Sequence, residues 1–538
     1  MTIYNGKSIQ KGIAIGDIFC INKKNSVIKA ELVKDSQAEK ERLNQALEVA
    51  QKQLSDLYQD AVSVVGKEKA AVFEIHRMLL EDPGFTDGIN QWLAKGFKAE
   101  YAVYQAKEQL LITFGNLEDD YIREREADIA DVSQRLISVL IGTKEMPHEF
   151  KEPVILVAED LLPGEFIKLN KSKILALVTA KGSVTSHTAV LAKAMNIPAI
   201  VDAGSLQFAE IHGESGIVDG FTGEFLVDAD SRTLAEKLEK QSSWQNSQQE
   251  LLELIGLKNV TADGRTIEIL ANVGSVEEAE EALLQDAGGI GLYRSEFFYL
   301  SCSRYPTEEE LFENYKALIR KLGDKKVIIR TLDIGSDKKA DYFQMEAEEN
   351  PALGNRAIRM CLHRPDLFKT QLRAIFRASA EGNVGVMFPL ITTLEEVVQI
   401  KSLMEEVKTE LQAENIRMGN PQTGIMIETP AAALISDELA EEVDFFSIGT
   451  NDLAQYTLAA DRQNPQLGNL HDSCHPAVMK LIQMTVHNAH EKGITVGLCG
   501  ELAADTLFTE TWLNMGIDEL SVAPSHILSV RKAVLEIK

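Results

Sequence analysis

After Gly264 the chain carries eight short apolar runs separated by helix-length segments. They cover residues 267–273, 290–293, 327–332, 384–389, 424–427, 444–448, 495–499 and 519–522. Continuous apolar runs of this length mark strands buried on both faces. Eight of them over about 275 residues, each followed by a helix, match a (β/α)8 barrel. No other feature constrains the chain so tightly, because such a barrel concentrates its chemistry at the C-terminal ends of the strands. Those ends carry Asn272, Arg294 with Glu296, Arg330 with Asp333, Glu428, Asn451 with Asp452, and Cys499 with Glu501.

The first half of the chain follows other periods. A glycine-flanked apolar stretch at residues 12–16 reads as a strand. Leu43, Leu47, Ala50, Leu54, Leu57 and Ala61 then recur at helical spacing. Further helical runs at residues 68–80, 100–114 and 120–141, punctuated by Gly66, Pro83-Gly84 and Gly115-Asn116, predict a bundle of about four helices. From Pro153 short strands return, at residues 154–158, 174–178, 200–201 and 217–218. The expected architecture is multidomain α/β. Residues 1–30 and 144–229 form an α/β domain, interrupted by a helical bundle at 31–143. A polar helical linker at 230–260 leads to the barrel at 261–538.

The 538 residues carry a formal charge of −27, with −9 in residues 31–150 and −17 in 261–538 by position. This excess argues against nucleic acid or an anionic membrane as the main partner, since both require a basic footprint. Five scattered cysteines without CxxC spacing, no signal-peptide core and no apolar run near 18 residues predict a cytoplasmic protein without membrane insertion.

At the barrel mouth, Arg294 and Arg330 end adjacent strands, and paired guanidinium forks suit phosphate or carboxylate. Arg356, Arg359 and Arg462 extend that clamp. Glu428 and Asp452 suit a hard divalent cation such as Mg²⁺, completed by ligand oxygens. Each residue alone has a plainer reading: an ion-paired arginine, a solvated carboxylate, a small buried cysteine. Their common location carries the inference toward phosphoryl or enolate chemistry. In the first half, a glycine- and hydroxyl-rich loop at residues 181–188 runs into a helix at His187. A helix N-terminus favours neutral imidazole, the nucleophilic form, and would receive an anion formed there. A hydrogen-bonded loop histidine is the alternative. No GxxxxGK[ST] or Rossmann GxGxxG marks a nucleotide site.

The motifs GSVTSHTAVLAKAM (182–195), GIGLYRSEF (289–297), RTLDIGSDK (330–338), ENPALGNRAIR (349–359), GIMIETPAAA (424–433), DFFSIGTNDLAQY (444–456) and LCGEL (498–502) together resemble the enzyme I family of the phosphoenolpyruvate:sugar phosphotransferase system. The resemblance spans nearly the whole chain. It implies a swivelling phosphohistidine domain with an inserted bundle, followed by a phosphoenolpyruvate-binding TIM-type barrel. His187 resembles the phosphoryl acceptor. Arg294, Arg330, Arg356, Asn451, Asp452 and Arg462 resemble the substrate contacts, and Glu428 and Asp452 the Mg²⁺ ligands. Cys499 resembles the acid that protonates the enolate to pyruvate. The bundle resembles the docking site for the phosphocarrier protein HPr, with His76, Arg125 and Asp128 matching its surface. The family also forms a homodimer through its barrel.

The chain departs from the family pattern at Leu162, Ser183, Val184, Lys193, Ser336 and Asn355, and it stops at Lys538 where many relatives continue. A dikinase or synthase that charges the same histidine from ATP would need a large ATP-grasp domain, and residues 1–150 are too short and too helical to supply one. A silent docking protein would lack some of His187, Arg294, Arg330, Glu428, Asp452 and Cys499, and all are present.

Overall fold

The computed structural model describes residues 1–21, 28–65, 67–114, 120–142, 150–161, 163–167, 169–184, 186–335, 341–343, 348–462, 464–467 and 470–538. The chain forms two compact units, Met1–Ser247 and Gln248–Lys538.

In the first unit, β1 (Thr2–Asn5), β2 (Lys7–Gln10) and β3 (Ile13–Ile21) precede the helices α1 (Ser36–Val65), α2 (Lys67–Glu81), α3 (Pro83–Ala94), α4 (Ala99–Phe114) and α5 (Asp120–Ile141). The described bundle therefore has five helices, one more than expected. The extra one is α3, whose Pro83 reads as punctuation in the sequence. Proline instead opens a helix here: it occupies the first turn, where no N–H is needed, and Asp82 caps the Phe85 N–H at 3.2 Å. The apolar stripe of α1 is buried as its spacing requires, with Ala50, Leu54, Leu57 and Ala61 fully enclosed.

After the bundle come β4 (Val154–Ala158), α6 (Pro163–Ile167), β5 (Ile174–Thr179), α7 (His187–Ala194), β6 (Ala199–Val201), α8 (Phe208–Ile211), β7 (Ser215–Asp219), β8 (Glu224–Val227) and α9 (Ser231–Leu252). The eight strands form one sheet in the order β1-β8-β7-β3-β4-β5-β6-β2. β3 pairs in parallel with β4, Asp17 opposite Val154 through Ile21 opposite Ala158. The bundle is thus an insertion between two neighbouring strands. Period-two alternation splits β4 between two cores. Leu156 and Ala158 pack with the bundle residues, while Ile155 and Val157 face a second core with Val178 and Phe225. The start of α9 is fastened by Lys237 and Lys240, which pair with fully buried Asp219 at 2.6 and 2.9 Å.

In the second unit β9 (Glu268–Val273), β10 (Ile290–Arg294), β11 (Val327–Arg330), β12 (Val384–Phe388), β13 (Gln422–Ile427), β14 (Phe445–Ile448), β15 (Thr495–Leu498) and β16 (Glu519–Val522) close into a parallel barrel in sequence order. Outward residues such as Ile269, Ile329 and Ile427 pack against the helices, and Leu292, Ile328, Met387, Met426 and Phe445 fill the interior. Gly424 makes room for that filling, since a Cβ there would lie 2.3 Å from the Phe445 ring. Lower in the barrel, Lys326 pairs with Glu519 at 2.5 Å. Among the described residues no helix is long and apolar enough to cross a membrane.

Candidate active site

The C-terminal strand ends converge on a cavity of about 550 Å³ lined by Arg294, Arg330, Glu428, Asp452, Arg462 and Cys499, among others. Arg294 and Arg330 are the last residues of β10 and β11 and sit opposite each other in register. Arg330 Nη2 lies 2.6 Å from Glu296 Oε1 and 3.1 Å from Asp333 Oδ2. The other oxygen of Asp333 takes Arg356 Nη2 at 2.9 Å. Arg356 Nη2 is in turn 3.7 Å from Asp452 Oδ2, and Asp452 Oδ1 is 3.4 Å from Arg462 Nη1. An alternating chain of charges therefore crosses the mouth: Glu296, Arg330, Asp333, Arg356, Asp452, Arg462. All but Arg462 are buried.

Burial works against the charge on Arg330, but Glu296 and Asp333 outweigh it and hold the guanidinium above its usual range. Arg356 is held the same way, burial being outweighed by Asp333 and Asp452. Arg294 makes no ion pair among the described residues, and its guanidinium stacks 4.8 Å from the Phe297 ring. The buried Nε–H groups of Arg294, Arg330 and Arg356 have no hydrogen-bond partner among the described residues. These unspent donors suit a ligand rich in oxygens.

Glu428, one residue past β13, is buried, and its Oε1 accepts the Leu390 N–H at 2.6 Å. Leu390 holds a left-handed φ of 59° to deliver that bond, a strained conformation for a non-glycine residue. Burial first, then the Asp452 charge, pushes the Glu428 carboxyl above the usual range. A cation placed between Glu428 and Asp452 would relieve both effects. Among the described residues Asp452 Oδ1 is buried without a hydrogen bond, despite the nearby Arg462. These two hard oxygen donors fit Mg²⁺ with ligand and water oxygens completing its shell. Among the described residues no group of three His, Cys, Asp or Glu converges on a metal unaided.

Cys499 follows β15 directly, and its thiol is buried and donates to the Ile448 carbonyl at 3.5 Å. Burial, reinforced by Glu428, pushes that thiol up to about 11, so it carries its proton at neutral pH. Asn451 exchanges two 3.2 Å bonds with Glu501, Nδ2–H to Oε1 and Glu501 N–H to Oδ1.

Some supporting residues were readable only as isolated strand-end polars. Glu296 and Asp333 are the counter-ions of the clamp. Behind Arg330, buried Gln371 accepts the Leu332 N–H and donates to Ser295 Oγ, both at 3.0 Å. Ser295 in turn donates to the Arg330 carbonyl at 2.7 Å. Gln371 lies on the helix Pro365–Ala378, and no local signal distinguishes it from a surface glutamine.

In the first unit His187 is the first residue of α7, and Ser186 caps the helix by accepting the Ala189 N–H at 3.3 Å. The ring of His187, the side chain of Arg125, and residues Leu162 and Ser336 lie outside the described residues. His76 and Asp128 were expected on the bundle surface. They are instead 3% and 7% exposed and bonded to each other, Nε2 to Oδ1 at 3.0 Å, between α2 and α5. A direct partner contact needs exposed atoms, so their geometry is that of an internal tie.

Fold and site together define an enzyme barrel whose ionic mouth takes a small, oxygen-rich anion. Three models of phosphoenolpyruvate-utilising enzymes match the chain: the N-terminal domain over residues 5–125, the mobile domain over 150–223 and the PEP-binding domain over 248–538. The phosphoenolpyruvate-protein phosphotransferase of Priestia megaterium is 38% identical over 535 residues, 99% of this chain and 93% of its own. The protein of the same name from Geobacillus stearothermophilus is 38% identical, covering 98% and 92%. That from Bacillus subtilis is 36% identical, covering 98% and 93%. The chain belongs to the phosphoenolpyruvate-protein phosphotransferase family of PEP-utilising enzymes.

Proposed function

We propose that the chain moves the phosphoryl group of phosphoenolpyruvate to His187 and then to HPr, releasing pyruvate, as the first step of a sugar phosphotransferase system. The observation that carries this reading is the alternating charge chain at the barrel mouth, next to Glu428 and the buried thiol of Cys499. Arg294, Arg330, Arg356 and Arg462 grip the phosphate and carboxylate, with Asn451 at the rim. Glu428 and Asp452 would hold Mg²⁺, which when bound would offset phosphate charge.

A ring nitrogen of neutral His187 forms a bond to phosphorus while the bond from phosphorus to the enolate oxygen breaks. The transition state is loose, so positioning and charge neutralisation do most of the work. The C3 carbon of the enolate then takes the Cys499 Sγ proton to give the methyl of pyruvate, and water reprotonates the thiolate. Phosphohistidine passes its group to a histidine of HPr, docked on the bundle. There His76 and Asp128 act from within by tying α2 to α5, and Arg125 is the contact residue of the three.

A homodimer through the barrel is supported by Leu353, Leu470 and Leu507, each more than 60% exposed on loops that follow strand C-termini. A cytoplasmic setting is supported by cysteines that are all free, Cys361 and Cys499 buried. Incubation with ³²P-labelled phosphoenolpyruvate and Mg²⁺ should place acid-labile label on the wild-type chain and, after HPr is added, on HPr. Absence of label on wild type, or equal label on His187→Ala, refutes the reading.

A further inference from the structure

We infer that Asn272 is a positioning residue for Cys499, fixing the backbone that carries the thiol; the inference rests on the reading of Cys499 as the proton donor. Asn272 is the penultimate residue of β9 and faces the cavity. Its Nδ2 donates to the Cys499 carbonyl at 3.0 Å and to the Ser521 carbonyl at 2.9 Å. Its Oδ1 accepts the Ser521 hydroxyl at 2.7 Å. Two carbonyls on one side and a hydroxyl on the other fix the amide orientation, because only the NH₂ end can serve two acceptors. Both of its donor protons are consumed, so Asn272 has none left for a substrate oxygen.

The backbone explains why this side chain is needed. The β15–β16 ladder pairs Gly497 with Glu519 and Leu498 with Leu520, and goes no further. Cys499 lies one residue past its end. On the β14 side Cys499 remains held, since its N–H and thiol both reach the Ile448 carbonyl, at 3.0 and 3.5 Å. On the β16 side its carbonyl would lack a donor. Asn272 supplies one by reaching across β16, and it satisfies the Ser521 carbonyl with the second proton. The amide thus extends the ladder by one residue at the position where a thiol must face one side of a planar enolate.

The test is turnover of (Z)-[3-²H]phosphoenolpyruvate in tritiated water, followed by chirality analysis of the pyruvate methyl. Wild type should give one configuration. In Asn272→Ala the displaced thiol should lose the enolate to solvent, scrambling the methyl and lowering kcat about 10- to 100-fold with KM for phosphoenolpyruvate unchanged. Asn272→Asp, which turns the shared donor into an acceptor facing two carbonyls, should be at least as severe. Ser521→Ala loses only the bond to Oδ1 and should show a milder loss in the same direction, which keeps the test valid if the Asn272 variants fail to fold. A retained single configuration with wild-type kcat in these variants overturns the inference, and so does a raised KM with kcat unchanged. If Cys499→Ala itself keeps the single configuration, the acid reading fails and the inference with it. Scrambling by Cys499→Ala but not by the Asn272 variants rejects the inference alone.

Discussion

Asp333 pairs with both buried arginines of the clamp, so Asp333→Asn tests whether the charge chain is a structural unit. The replacement keeps the shape and removes the charge. Its oxygen can accept from one guanidinium only, and its NH₂ group must face the donors of the other. Removing one partner of a buried ion pair costs about 3–5 kcal/mol. Glu296 still holds Arg330 at 2.6 Å and Asp452 still lies 3.7 Å from Arg356, so neither arginine is stripped. That places the loss near the lower end, about 3 kcal/mol. At roughly 2–4 °C per kcal/mol for a domain of this size, the barrel transition should fall by about 6–12 °C in scanning calorimetry. A second arm uses inorganic phosphate. An anion replaces the missing negative charge, so saturating phosphate should raise the Tm more in Asp333→Asn than in wild type, by mass action on the folded state. A wild-type Tm combined with no extra stabilisation by phosphate would refute the claim that Asp333 neutralises both arginines.

Three further substitutions separate stability from function. Glu428→Gln removes a carboxylate that burial and Asp452 already disfavour, so thermal stability should hold or rise while kcat/KM falls by about 100-fold or more; a destabilised variant would contradict that electrostatic assignment. Gly424→Ala places a methyl 2.3 Å from the Phe445 ring and should lower barrel stability by about 1–3 kcal/mol through overpacking, read by urea denaturation. His76→Ala breaks the buried bond to Asp128 and should destabilise the first unit by about 1–3 kcal/mol, with transfer to HPr falling in step with loss of fold; weaker HPr transfer at full stability would instead make His76 a contact residue.

The barrel was legible because its strands are buried on both faces and therefore read as unbroken apolar runs. The observed bounds differ from the expected ones by a residue or two, as at β11, expected to reach Leu332 and ending at Arg330. The edge strands β1 and β2 were not legible: Thr2, Ile3, Asn5, Lys7 and Ser8 are exposed, and no apolar alternation marks them. Helix α3 was hidden because proline followed by glycine signals a turn unless the aspartate before it is recognised as a cap. At the site, the strand ends named the charged residues but not their pairing. That Asp333 bridges two arginines, that Leu390 adopts a left-handed backbone to reach Glu428, and that Gln371 sits behind Arg330 all follow from tertiary geometry. The burial of His76 against Asp128 is of the same kind, since neither residue type nor spacing announces an internal pair.

Local charge at the mouth also differs in kind from the −27 of the whole chain. Arg294, Arg330, Arg356 and Arg462 stand against Glu296, Asp333, Glu428, Asp452 and Glu501, so arginines do not outnumber carboxylates at the mouth and it is not basic. Phosphoenolpyruvate would therefore not enter a positive hole. Its oxygens must compete with Asp333 and Asp452 for guanidinium groups already paired, and its excess negative charge must be matched in a largely buried site. A divalent cation beside Glu428 and Asp452 would supply that match, and the two ligands would then be thermodynamically coupled. Coupling is reciprocal, so Mg²⁺ must tighten phosphoenolpyruvate binding by the same factor as phosphoenolpyruvate tightens Mg²⁺. A coupling of about 1–3 kcal/mol, roughly 5- to 150-fold, is expected. Calorimetric titration of each ligand with and without the other, on the His187→Ala chain so that no phosphoryl transfer intervenes, measures both ratios. Phosphoenolpyruvate affinity indifferent to Mg²⁺ would mean that the arginines neutralise the substrate unaided, and that the buried carboxylates serve only to hold them.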